Sequence, residues 1–260
     1  MSESPAGEST PGTTPRDDGG ERTTRRERGA TRSGGRPAVV VVAMDEEAQP
    51  FLARAESQAA EEVVGGARVR ALHLAGREVL LVTAGIGLVN AAAAGAVLAS
   101  GMKPDVLVSS GSAGGLGGQV GVGDVVVGSS YAYARADARA FGYVMGQVPG
   151  MPATFPADER LVHAAQAAAG GRTVHVGEVV SGDTFVDGPL VDELRRDFPG
   201  ALSTDMESTA LAHTAHLFGV PFVSVRGISD LCGATEFAQH VDDAAERAAD
   251  VVVGLLASLG

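Results

Sequence analysis

The sequence predicts one α/β domain with a mixed central β-sheet flanked by helices. Two observations carry this reading, and a third says what fills the core. A continuous β-branched run, Ala38-Val-Val-Val-Val-Ala43, marks a strand buried on both faces. Beyond it, strand-length apolar runs alternate with helix-length ones, the pattern of a largely parallel or mixed sheet. Aromatic residues are scarce, with 8 Phe, 3 Tyr and no Trp, so Val, Ala and Leu must build the core.

Order begins at Pro37. The strand Ala38–Ala43 turns into a helix whose start lies around Asp45–Gln49, because Pro50 is tolerated only near a first turn. The acids there suit the positive end of the helix dipole. Further strands are expected at Arg68–Leu74, Glu78–Thr83, Asp105–Ser109, Asp124–Tyr133, Val174–Ser181, Ala201–Thr204 and Pro221–Gly227. Helices are expected at Leu88–Ser100, Ala157–Ala169, Pro189–Asp197, Glu207–Phe218 and Phe237–Ser258. The last spaces Ala245, Ala248, Ala249, Val252, Leu255 and Leu256 along one helical face. No repeat of fixed period is present.

Residues 1–36 are a different material. They hold three hydrophobic residues, seven Gly, seven Arg and six acids. Such a stretch cannot bury enough apolar surface to offset its ordering entropy, so a disordered tail is expected ahead of a domain at 37–260. It lacks the apolar stretch of a secretory signal, and its acids fit a transit peptide poorly. A dispensable tail or a start codon chosen too far upstream is the expectation.

Of 260 residues, 32 are acidic and 20 basic, for a net charge of −12. The tail carries +1 and the domain −13. This balance argues against a nucleic-acid partner and against a polybasic membrane anchor. No apolar run reaches 18 residues, so no membrane span is expected, and a cytoplasmic location is. The single cysteine, Cys232, excludes an internal disulfide and a thiolate zinc site. The six histidines show no metal-ligand spacing, so no metal is expected.

Four segments sit at predicted strand ends, where α/β folds assemble their sites. Ser110-Gly-Ser-Ala-Gly-Gly-Leu116 follows an apolar strand, and its glycines would let a ligand approach the backbone. It lacks both the dinucleotide fingerprint and the Lys of a P-loop, and a tight turn explains it equally well. Ser112 is not in G-x-S-x-G, so a serine hydrolase has no support. Asp205-Met-Glu-Ser-Thr-Ala210 opens a helix, where Asp205 would serve as a cap and Glu207 would favour the dipole. Arg226-Gly-Ile-Ser-Asp230 ends another strand with turn-forming residues. Met44-Asp-Glu-Glu47 places three acids after a buried strand, one of which would point into a cleft.

In their order and spacing these segments are specific. From about Ala38 to Leu256 the chain resembles the 5′-methylthioadenosine/S-adenosylhomocysteine nucleosidases, a branch of the nucleoside phosphorylase superfamily. The likeness rests on Ala43-Met-Asp-Glu-Glu47, Gly85-Ile-Gly87, Gly111-Ser-Ala-Gly-Gly-Leu116, Phe141-Gly-Tyr143, Gly146-Gln-Val-Pro149, Ser181-Gly-Asp-Thr-Phe185, Asp205-Met-Glu207 and Arg226-Gly-Ile-Ser-Asp230. It implies a nucleoside phosphorylase-like fold and hydrolysis of the bond between adenine and a 5′-thioribose, in methionine salvage and recycling of S-adenosylmethionine by-products. No cofactor is implied.

By this resemblance Asp230 is the acid that protonates adenine N7, oriented by Ser229. A carboxyl in that role must keep its proton near neutral pH. Glu207 binds the ribose hydroxyls and, as a preorganised carboxylate, stabilises an oxocarbenium-like transition state, with Met206 beside the sugar. Glu47 is the base that activates water, and Arg226 helps hold Glu207 and that water. Phe185 stacks on adenine, the Val186 main chain bonds its edge, and Met44, Ser112, Ala113 and Gly114 lie close to base and sugar. Phe237 lines the site. Phe141 and Pro149 match positions that reach a neighbouring subunit's site, so a homodimer is implied.

The sequence departs from the family pattern at Asp205, where Glu is frequent. It departs also at Ala134 and Arg135, in place of His-Asp, and at Leu88, in place of Lys. The last two bear on the 5′-substituent. A hydrolase of an aminofutalosine-type nucleoside of menaquinone synthesis is therefore a rival reading. A phosphorylase is a weaker one, since Asp45-Glu46-Glu47 would repel phosphate. A nucleoside-binding protein without catalysis would not need both an acid and a base.

Overall fold

The computed structural model describes residues 36–259. The expected tail falls outside the described residues except for Arg36. The strand β1 (Ala38–Val42) is buried along its whole length. Val39 and Val41 face one apolar layer, and Ala38, Val40 and Val42 face the other. This is the burial on both faces that its unbroken β-branched run required.

The chain then runs through α1 (Asp45–Arg54), β2 (Ser57–Gln58), β3 (Glu62–Val64), β4 (Ala67–Leu74), β5 (Arg77–Thr83), α2 (Leu88–Met102), β6 (Val106–Gly115) and β7 (Val125–Tyr133). After a 3₁₀ turn at Arg139–Phe141 come β8 (Phe155–Pro156), α3 (Glu159–Ala167), β9 (Val174–Ser181), α4 (Pro189–Asp197), β10 (Ala201–Asp205), α5 (Ser208–Phe218), β11 (Phe222–Asp230) and α6 (Ala234–Ser258). α1 starts at Asp45, inside the expected range, which makes Pro50 its sixth residue, past the first turn that proline prefers. Tertiary contacts override the local preference: Arg54 at its end lies 2.5 Å from both Glu246 and Asp250 of α6.

The sheet is mixed, in the order β10-β9-β7-β11-β6-β1-β5-β4-β2. β1 lies parallel to β5 and β6, and β6 is parallel to β11. β7 runs antiparallel to β11. One face is covered by α1, α3 and α6, through residues such as Phe51, Leu161 and Leu255. The other is covered by α2 and α5 through Leu98 and Leu211. A third apolar cluster seats Val191 and Leu194 of α4.

Two strand ends correct the sequence reading. β6 extends through Gly115, and β11 through Asp230, where turns were expected. Glycine disfavours an ordinary strand, yet here β10 also pairs with β6, Ser203 opposite Gly115 and Thr204 opposite Gly114. That second pairing closes β6, β11, β7, β9 and β10 into a ring. A Cβ at 115 would lie 2.9 Å from Leu231 Cδ2, and one at 114 would lie 3.1 Å from Cys232 Sγ. The bare backbone is what lets the segment that follows β11 pack against the end of β6. The short strands β2, β3 and β8 were not anticipated, being too brief for a periodicity to show.

Candidate active site

The strand ends converge on a cleft of about 720 Å³, measured out to its open mouth. Met44 and Glu47 come from the β1–α1 junction, and Ser112, Ala113 and Gly114 from the end of β6. Phe185 and Val186 follow β9, and Met206 and Glu207 follow β10. Ser229 and Asp230 close β11, and Phe237 stands in the first turns of α6. The cleft thus unites every anticipated residue except Arg226, which lies beneath it, and Phe141 and Pro149. Phe141 is 83% exposed and Pro149 is also exposed, and neither lines the cleft of its own chain.

Glu47 is buried, and donors surround its carboxylate. Oε2 accepts from the amides of Ala43 at 2.8 Å and Met44 at 3.3 Å. Oε1 accepts from the Ser112 amide at 2.9 Å and from the Ser112 hydroxyl at 3.0 Å. Space for it exists because residue 111 is glycine at φ +155: a Cβ there would collide with the Glu47 carboxylate and the Arg226 guanidinium.

Arg226 is 1% exposed. Its Nε stands 2.8 Å from Asp205 Oδ2, its Nη1 3.6 Å from Glu207 Oε2, and its Nη2 donates to Ser109 Oγ at 2.5 Å. Burial pulls the guanidinium pKa down, but Asp205, Glu207 and Glu47 together raise it, so it stays charged. Glu207 accepts from the Gly87 amide at 3.0 Å. Burial pushes its carboxyl up, to about 7; Arg226 opposes this and the charges of Asp205 and Glu47 add to it.

Asp230 is held on both oxygens. Oδ1 accepts from the amides of Cys232 at 2.8 Å and Gly233 at 3.0 Å, and Oδ2 from the Ser229 hydroxyl at 2.7 Å. Cys232 takes a left-handed φ of 71° to aim its amide there. Burial pushes its thiol up to about 12, which keeps it a neutral packing group. Across the cleft the Phe185 and Phe237 rings meet edge-on, centroids 5.8 Å apart.

The arrangement can grip a flat aromatic group at Phe185, offer Asp230 to one edge of it, and surround a neighbouring cation with Glu47 and Glu207. Five further residues line the cleft that the sequence reading did not assign: Ala43, Ile86, Thr184, Thr204 and Asp205. Ile86 lies inside Gly85-Ile-Gly87, which was a usable signal. Asp205 was read as a helix cap. It accepts from the amides of Glu207 and Ser208, as a cap should, and also carries the ion pair to Arg226. Among the described residues no helix is long and apolar enough to cross a membrane, and no three His, Cys, Asp or Glu side chains form a metal-binding group.

Residues 37–257 match the family model of the phosphorylase superfamily. A 5′-methylthioadenosine/S-adenosylhomocysteine nucleosidase of Actinobacillus succinogenes is 41% identical over 85% of this chain and 98% of its own length. The nucleosidase of that name from Neisseria meningitidis, solved with methylthio-immucillin-A, superposes with a TM-score of 0.82 at 36% identity, over 86% of this chain and 99% of its own. The futalosine hydrolase of Helicobacter pylori superposes with a TM-score of 0.81 at 23% identity, over 86% of this chain and 98% of its own, a likeness of fold.

Proposed function

Because the chain belongs to the phosphorylase superfamily and, within it, to the 5′-methylthioadenosine/S-adenosylhomocysteine nucleosidases, we propose that it cleaves the N-glycosidic bond of these two nucleosides with water. Adenine and the 5-thioribose product leave. The observation that carries the reading is the placement of Glu47, Glu207 and Asp230 in one cleft beside an aromatic seat.

The chemistry asks for three charges in order. Adenine leaves badly as an anion, so Asp230 protonates N7 as the C1′–N9 bond breaks. Ser229 and the Cys232 and Gly233 amides keep that carboxyl facing the base. Positive charge grows on the ribose, and the Glu207 carboxylate, aligned by Arg226 and the Gly87 amide, stabilises it without reorganising. Glu47 takes the proton from water as its oxygen bonds to C1′. Of the donors on Glu47, only the Ser112 hydroxyl can rotate away, which would free a lone pair for that proton.

The exposed Phe141 and Pro149 suit a homodimer in which each chain closes the alkylthio end of its partner's cleft. Such a reaction returns adenine and thioribose from spent S-adenosylmethionine, so methionine salvage is the fitting setting. The test is adenine release from methylthioadenosine, S-adenosylhomocysteine and other 5′-substituted adenosines, with and without phosphate. The thio-nucleosides are expected to turn over fastest, at equal rates with and without phosphate. Strict phosphate dependence, or preference for an aryl-carboxylate substituent, would overturn the assignment.

A further inference from the structure

Helix α2 begins with Gly87 as its N-cap, so it has no capping side chain of its own and no acid in its first turn. Its first amides are satisfied from far along the chain. The Gly87 amide donates to Glu207 Oε1 at 3.0 Å, and the Leu88 amide donates to Asp183 Oδ1 at 2.7 Å. Asp183 packs onto the backbone itself: a Cβ on Gly87, whose φ is +106°, would lie 2.9 Å from its Oδ1. Two residues further on stands Phe185, 40% exposed at the rim of the cleft.

We propose that Asp183 is a positioning residue: by capping α2 it pins the turn that carries Phe185 and Val186, so that the adenine seat and the ribose carboxylate Glu207 share one anchor. This rests on the nucleosidase reading above. The physical argument is that turn residues 183–185 are exposed and lack a core of their own. The Leu88 amide is otherwise an orphaned helix donor, and a carboxylate there is favoured by the hydrogen bond and by the helix dipole together. Without it the turn is free to move, and the base half of the site loses preorganisation.

Two variants test this from opposite sides. Asp183→Ala removes the acceptor. Leu88→Pro removes the donor at the first helical position, where proline is tolerated and an extended preceding residue suits it. Gly87 is not extended, at φ +106°, but its ψ of 160° and its lack of a Cβ leave room for the proline ring. Each is expected to raise KM for methylthioadenosine and to weaken adenine binding by calorimetry by about 5-fold, with kcat changed by less than about 2-fold. The double variant is expected to cost no more than either single one, and Asp183→Asn, which keeps an oxygen acceptor, to restore most of the loss. Unchanged KM and adenine affinity in both single variants, or fully additive losses, would overturn the assignment. A wild-type protein that binds adenine while Asp183→Ala binds it equally sinks only the role of Asp183. A wild-type protein that binds no adenine sinks the nucleosidase reading with it.

Discussion

Arg226 Nε stands 2.8 Å from Asp205 Oδ2, and both side chains are 1% exposed. The pair links β11 to the end of β10, so it joins two strands of the ring beneath the cleft. Breaking a buried pair leaves one charge uncompensated, which costs about 3–5 kcal/mol. Asp205→Asn is expected near the lower end, because Glu207 remains 3.6 Å from the guanidinium. Urea unfolding measures this; a stability within about 1 kcal/mol of the parent would show that the pair is dispensable.

Asp230→Asn keeps size and most hydrogen bonding but removes the acid. Turnover is expected to fall by roughly 10²–10⁴ with little change in melting temperature. Unaltered adenine release would move the acid role elsewhere.

The raised carboxyl of Glu207 gives a pH-dependent stability. Because burial lifts its folded pKa above that of the unfolded chain, the folded state binds that proton more tightly. The ionised form is therefore penalised in the fold. The penalty is absent well below pH 4.5, grows as pH rises, and is complete above about 7. Glu207→Gln escapes it. Thermal melts should show the variant gaining on the parent between pH 5 and pH 8, by on the order of a few degrees. Its activity should be largely lost. A constant difference across that range would remove the electrostatic explanation.

Phe141→Ala is expected to raise KM for methylthioadenosine by about 10-fold without changing the mass seen in sedimentation, since one exposed ring supplies contact area more than assembly energy. A monomeric parent protein would end the shared-site proposal outright.

Removing Met1–Arg36 is expected to leave kcat/KM and the melting temperature unchanged, because that stretch is too polar to join a core. A fall in either would show that it packs on the domain.

Much of this organisation was legible in the amino acids. The run at Ala38–Val42 announced a strand buried on both faces, and β9 and α4 ended where their patterns ended. Glu47, Glu207 and Asp230 were singled out through the family resemblance rather than their local patterns, and the fold brings all three to one cleft. What was hidden depends on three-dimensional approach. Gly114 and Gly115 look like a turn locally, and only the packing of Asp230, Leu231 and Cys232 against them makes bare backbone the right choice in a strand. Ser229 and Asp230 are turn formers that the pairing with β6 holds extended. Asp205 resembled a simple cap because its second partner, Arg226, is distant in sequence. The ties from Asp183 and Glu207 to α2 are invisible for the same reason.

The ring of strands also dictates when in its synthesis the protein becomes an enzyme. β11 is the last strand made, yet it sits between β6 and β7, which were made long before. Until it emerges, the facing edges of β6 and β7 are open to the wrong partners, and Arg226, Ser229 and Asp230 are not yet in place. Non-local pairing of this kind is slow. A nascent chain halted before Asp230 would therefore carry no complete cleft, however much of its sheet had formed, and it would lack α6 as well.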